Sequence, residues 1–183
     1  LLLQGDQDKN AKSTSKLSAY KYASDLVGQV ADMNKGKFLH EETEAEMKTN
    51  FCIGVAAYPE KHFEAPNLNS DLKWLKHKVD CGSDYMVTQM FFDNQKYFDF
   101  VNKCRAEGIT IPIIPGLKVL ATKKQLDILP RLFYLDLPEV FRKEVLACET
   151  DKQVKQLGIE WAIQQCRELI DFGVPALHFY TMS

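Results

Sequence analysis

Hydrophobic and polar positions along this chain follow two alternating periods. Short apolar runs of strand character fall at 51–58, 85–92, 111–114 and 176–181, and a stub at 1–3 enters as if a strand had begun earlier. Between them lie longer segments with apolar residues every three or four positions. The first covers 17–33, where Tyr22, Leu26, Val27 and Val30 share a face, and a polar loop at 7–15 precedes it. The next spans 70–81, with Ser70 as N-cap and Gly82 just past its end. A helix at 94–107 is stopped by Gly108, shorter ones are expected at 123–132 and 138–148, and Asp151–Phe172 is stopped by Gly173. Five strands separated by helices imply an α/β domain with right-handed parallel crossovers, without repeat or internal linker.

Such a pattern suits either an open doubly wound sheet or part of an eight-stranded barrel. In the 51–58 run, one face carries Phe51, Ile53, Val55 and Ala57. The other carries Cys52, Gly54 and Ala56 and ends in Tyr58. In the last run Ala176, His178 and Tyr180 share a face against Leu177 and Phe179. Small residues inside with a large polar one at the carboxyl end fit a barrel interior that opens into a site. No Gly-x-Gly-x-x-Gly follows any strand, so the dinucleotide fingerprint of an open sheet is missing and a (β/α)8 TIM barrel with about five of its eight strands is favoured.

Composition narrows the partners. With 183 residues, 45% hydrophobic and 26% charged, the chain reads as one domain that could bury roughly 70% of its unfolded surface. A net charge of −2 supplies no basic stripe for nucleic acid or an anionic membrane, which leaves a small molecule as the expected partner. The apolar start, Leu1-Leu2-Leu3, is too short for a signal peptide or a span, and its simplest reading is a fragment. Five widely spaced cysteines without a Cys-x-x-Cys pair suit a reduced cytoplasmic setting, and no metal-ligand spacing is present, so no metal is expected.

The chemistry concentrates at Tyr58-Pro59-Glu60-Lys61-His62, Asp71, Lys78 and Gln89. These set an aromatic, an imidazole, a carboxylate, an ammonium and an amide at two strand ends and on the helix between, an arrangement suited to gripping a large polar cofactor at a barrel mouth. Asp71, Trp74 and Lys78 line one helix edge beside the apolar stripe Leu72, Leu75 and Val79; from spacing alone an exposed ion pair is the simpler account. Two other classes compete. A Schiff-base aldolase barrel would use Lys118, just after Pro115-Gly116, as nucleophile, and a non-catalytic module would bind its cofactor or a partner without turnover.

The run Val55–His62, the strand Thr88-Gln89-Met90-Phe91-Phe92-Asp93, the turn Ile114-Pro115-Gly116 and the closing His178-Phe179-Tyr180-Thr181 together resemble methylenetetrahydrofolate reductase. That family is a flavin-containing eight-stranded barrel. It reduces 5,10-methylenetetrahydrofolate to 5-methyltetrahydrofolate with hydride from NADH or NADPH through FAD. The resemblance covers nearly the whole chain, as the C-terminal portion of the barrel, and includes Tyr22-Ala23-Ser24-Asp25-Leu26.

It implies cofactor contacts at Gly5, Asp6, Tyr22, Ala23, Tyr58, His62, Asp71, Trp74 and Lys78. Asp6 would tune the flavin and favour the developing cation of the folate, and Gln89 would touch substrate and nicotinamide; these two are the catalytic candidates. Gln89, Gln125, Leu129 and Tyr180 would line the folate, while His178 reads as a barrel-interior histidine. Trp74 departs from the smaller polar residue of relatives, Leu129 replaces a frequent aromatic, and Gln4 stands where an arginine commonly precedes Gly-Asp. The strands that in relatives supply the general-acid glutamate would lie before Leu1, and an arginine beyond Ser183. The isolated chain is therefore expected to be inactive, and unpaired sheet edges point to a homo-oligomer or poor solubility.

Overall fold

The structure, a computed structural model, describes residues 1–3, 20–39 and 48–181. In chain order its elements are α1 (Ala23–Asn34), β1 (Gly54–Ala57), α2 (Leu68–Asp80), β2 (Tyr85–Met90), α3 (Asn94–Ala106), β3 (Ile113–Leu117), α4 (Gln125–Phe133), α5 (Glu139–Ala147), α6 (Asp151–Phe172) and β4 (His178–Phe179). The polar loop expected at 7–15 lies outside the described residues, as does the start of the helix expected at 17–33.

All pairings are parallel, and the strand order β1-β2-β3-β4 follows the chain order. A doubly wound open sheet reverses its order at a switch point; a strictly sequential order is that of a barrel wall. The fifth expected strand is reduced to one bridge, Leu2 beside Val55, with the Leu2 amide donating to the Gly54 carbonyl at 2.7 Å.

One face of the sheet meets the helices. Val55, Ala57, Met86, Ile113 and Leu117 pack with Val27 of α1, Leu72 and Leu75 of α2, Tyr97, Phe100, Val101 and Cys104 of α3, and Leu169 of α6. By alternation, Gly54, Ala56, Val87, Ile114 and Gly116 face the other way, into the barrel interior. A second core closes the carboxyl end beyond the strands: Met90, Phe92, Leu120, Leu126, Leu129, Leu135, Phe141, Val145 and Val154, with Trp161 stacked on Phe141 at 4.4 Å. Asn94 and Gln165 join α3 to α6 here. The Asn94 amide donates to the Gln165 carbonyl at 3.1 Å, and the Gln165 amide to the Phe91 carbonyl at 3.3 Å, so both buried amides are satisfied.

Capping chemistry explains where helices begin. α6 starts as expected because Thr150 accepts from the Gln153 amide while the Gln153 side chain accepts from the amides of Glu149 and Thr150. α2 begins two residues before the expected position. Asn67, not Ser70, is the N-cap and accepts from the Ser70 amide at 2.9 Å, which brings Leu68 into the helix and against the core. α1 begins at Ala23, where the Asp25 carboxylate accepts from the Lys21 and Tyr22 amides.

β3 also departs from expectation. It runs to Leu117, through Pro115-Gly116, instead of ending at Ile114. The Gly116 amide donates to the Thr88 hydroxyl at 2.9 Å, and the ladder shifts register between Val87 and Met90. A side-chain oxygen thus takes the bond, and the Pro-Gly pair sits at a bulge rather than breaking the strand.

Two predictions concern this framework. A Cβ on Gly158 of α6 would lie 2.0 Å from the Leu120 carbonyl oxygen. Gly158→Ala should therefore destabilise by about 2 kcal/mol or more, although alanine favours an isolated helix by about 1 kcal/mol; chemical denaturation reads the sign.

The second concerns Glu60, which accepts from the Asp136 amide at 2.9 Å while its other carboxylate oxygen is buried without a partner; Asp136 also pairs with Lys96 at 3.1 Å. Burial is the largest cause raising the Glu60 carboxyl from 4.5 to about 7, opposed by the Asp136 amide. The folded state then binds the proton more tightly than the unfolded one. This stabilising contribution is complete below 4.5 and is lost as pH rises through 7. Glu60→Gln should flatten stability between pH 5 and 7.5 and, after solvent screening, add roughly 1 kcal/mol at pH 8, as measured by thermal unfolding across that range.

Candidate functional site

Where β1 ends, the chain makes a tight loop before α2. The Lys61 amide donates to the Tyr58 carbonyl at 3.2 Å, and Lys61 itself lies at φ 108, a conformation costly for a residue with a side chain. Its ammonium donates to the carbonyls of His62 at 3.1 Å and Ala65 at 2.6 Å, which holds the strained loop in place. Asp71, in the first turn of α2, accepts from the His62 amide at 2.8 Å. The His62 ring then stands edge-on to Tyr58, with centroids 4.6 Å apart. Tyr58 is pushed up from the ordinary phenol range by burial first and by Asp71 second.

Lys78 reaches back from the last turn of α2 to donate to the Ala56 carbonyl at 2.7 Å. Burial lowers its ammonium, and Asp71 partly restores it. Tyr58, Asp71 and Lys78 line a small pocket with Ala57, Leu72, Leu75 and Phe100. The exposed ring of Tyr22, at the start of α1 beside Ala23, stacks with the exposed Trp74 of α2, centroids 6.3 Å apart and planes 26° from parallel. Tyr22, Ala23, Tyr58, His62, Asp71, Trp74 and Lys78 are thus carried on α1, α2 and the loop after β1. Gly5 and Asp6 lie outside the described residues.

The second group stands at the ends of β2, β3 and β4. The Tyr180 hydroxyl donates to the Thr88 carbonyl at 2.9 Å, and its ring meets His178 edge-on at 4.7 Å. Burial, then the nearby Tyr58, raises the Tyr180 phenol. The ends of the first and last strands therefore sense each other across the interior face. Gln89 is half-buried; its carbonyl accepts from the Met90 amide at 2.9 Å, and among the described residues its amide nitrogen has no partner. Gln125 accepts from the amides of Ala121 at 2.7 Å and Thr122 at 3.2 Å, which fixes the loop after β3. Leu129 is 2% exposed and belongs to the second core.

Three residues take on a further role from this geometry. Glu60 ties the loop after β1 to Asp136, between α4 and α5; Lys61 absorbs the strain of that loop; Lys118 is buried one residue beyond β3. Glu60 and Lys61 lie inside the Tyr58–His62 run that the sequence singled out, and Lys118 was read there as a candidate nucleophile, but burial and φ are not written in composition. No cysteine is bridged, and Cys104 is pushed up to about 12 by burial, so it is no ready nucleophile. Among the described residues no helix is long and apolar enough to cross a membrane, and no group of His, Cys, Asp or Glu is arranged to hold a metal ion.

A sequence model of the family Methylenetetrahydrofolate reductase matches residues 1–183. Methylenetetrahydrofolate reductase 1 of Schizosaccharomyces pombe is 35% identical over all of this chain and 28% of its own length. Methylenetetrahydrofolate reductase 2 of Saccharomyces cerevisiae is 32% identical over all of this chain and 29% of its own. The 5,10-methylenetetrahydrofolate reductase of Pectobacterium carotovorum is 32% identical over 88% of this chain and 50% of its own. The chain thus spans under a third of the fungal relatives and half of the bacterial one. Among solved structures, an uncharacterized protein from Clostridium thermocellum that binds two copies of 5-methyl-5,6,7,8-tetrahydrofolic acid superposes with a TM-score of 0.53. It is 18% identical and covers 71% of this chain and 47% of that one, a likeness of fold. The chain belongs to the methylenetetrahydrofolate reductase family.

Proposed function

We propose that a protein containing this chain reduces 5,10-methylenetetrahydrofolate to 5-methyltetrahydrofolate, with NADH or NADPH as hydride donor and FAD as bound carrier. The chain supplies the C-terminal portion of the barrel. The observation that carries the reading is the convergence at one end of the parallel sheet of a cofactor-sized edge (Tyr22, Tyr58, His62, Asp71, Trp74, Lys78) with a second polar group (Gln89, Tyr180).

The donor set fits a dinucleotide flavin. Lys78 keeps two ammonium protons beyond its bond to Ala56, enough to meet a pyrophosphate oxygen as a point charge. The exposed Tyr22–Trp74 pair offers faces on which an adenine can stack. Bound FAD would supply the two-electron relay between nicotinamide and folate. The Gln89 amide, tethered through its carbonyl to Met90, turns a free N–H pair toward the interior, where it can orient a heteroaromatic ring by its polar edge. Tyr180 closes the same side, its hydroxyl committed to Thr88 and its ring left as apolar contact.

A protein spanning the length of its relatives should purify with flavin absorption or acquire it on adding FAD; a colourless product indifferent to FAD refutes the reading. Trp74→Ala should weaken FAD by about tenfold, from a stacking loss of roughly 1–3 kcal/mol, and leave riboflavin binding unchanged, as measured by fluorescence titration. Gln89→Leu should retain flavin and lower kcat/KM for the folate by at least about tenfold in stopped-flow reduction and reoxidation assays.

A further inference from the structure

Among the described residues Lys118, 6% exposed, is the one lysine, arginine, aspartate or glutamate that is buried. Buried Ser83, Thr88, Asn94 and Gln165 all have well-formed hydrogen bonds. The Lys118 ammonium has three protons to place. Among the described residues its hydrogen bond goes to the Tyr180 carbonyl at 3.5 Å, the outer limit of such a contact, and no carboxylate pairs with it. A desolvated cation so poorly matched is costly unless something else supplies oxygen.

Its position indicates what that would be. Leu117 packs toward the helices, so the next residue returns to the interior face shared by Gly116 and His178. Tyr180, to which Lys118 is tied, also bonds Thr88, the residue before Gln89. Lys118 therefore belongs with Gln89 and Tyr180, while Lys78 serves the opposite, cofactor-sized edge through Ala56.

We propose that the Lys118 ammonium donates a hydrogen bond to the ring carbonyl oxygen (4-oxo) of the pterin of a reduced folate. The assignment rests on the folate reading above and names a residue that reading does not use. A group this deep is reached by the inserted ring, not by the p-aminobenzoylglutamate tail, whose carboxylates need water. The 4-oxo group is the ring's electron-rich, amide-like acceptor, and a charge-assisted bond to it is of the stronger kind.

The test crosses a protein change with a ligand change in a protein long enough to span its relatives. Tetrahydrofolate and its 4-amino-4-deoxy analogue, which lacks the acceptor, are titrated by calorimetry into wild type and Lys118→Met. Wild type should bind the 4-oxo compound at least tenfold more tightly, and Lys118→Met should erase that difference while flavin content stays the same. p-Aminobenzoylglutamate alone should bind both proteins equally.

Equal binding of the two pterins by wild type overturns the assignment, and that measurement needs no variant to fold. A Lys118→Met loss shared by p-aminobenzoylglutamate overturns it in favour of a carboxylate. A change confined to KM for NADH or NADPH, or a borohydride-trapped adduct on Lys118, also overturns it. A wild type that binds flavin but no folate refutes the parent reading; one that binds folate without preferring the 4-oxo compound refutes this assignment alone.

Discussion

Gly116 is the point on which the site end of the sheet depends. A Cβ there would stand 2.2 Å from the Thr88 carbonyl oxygen and 2.6 Å from the Tyr180 ring. Because that atom is missing, the Tyr180 hydroxyl can reach the Thr88 carbonyl, and the Gly116 amide can reach the Thr88 hydroxyl. Three adjacent strands are drawn together by contacts to a single threonine, in a place where regular ladder bonds have shifted register. The same closeness carries Tyr180 over the interior, within electrostatic reach of Tyr58 on the far side of the sheet.

Two lysines divide the labour of charge in this molecule. Lys78 sits at the end of α2, half-buried, with a short bond to a strand carbonyl and a carboxylate nearby that partly offsets its desolvation. Lys118 sits in the wall itself, with a long bond and, among the described residues, no carboxylate paired with it. Burial is tolerable for the first because Asp71 and Ala56 already meet it. For the second the accounting of donors and acceptors stays open until a ligand oxygen is included.

Much of the fold was legible in the residues because its signals are local. Gly173 stops α6 as read from the chain, and the cap at Thr150 with Gln153 three residues on, seen in the structure, is an equally local signal that holds its start at Asp151. Legibility failed where a distant partner made the choice. Asn67 displaced Ser70 as cap because Leu68 gains a place in the core. Pro115-Gly116 reads as a break, yet the Thr88 hydroxyl on another strand lets β3 run through it. The outer strands read longer than they are, since apolar character begins before the first paired residue: Ala176 and Leu177 are apolar, but only His178 and Phe179 pair.

By itself the sequence determined the parallel α/β pattern, the barrel-like faces of its strands and the polar cluster from Tyr58 to Gln89, because side-chain period, caps and motif residues are properties of short stretches. Tertiary structure alone decided which of those residues meet. It directed Asp71 to the His62 amide, committed Gln125 to its own loop, buried Leu129 in the second core and left Lys118 under-partnered in the wall. The physical reason is that burial and hydrogen-bond satisfaction are set by residues tens of positions apart, which no local period encodes.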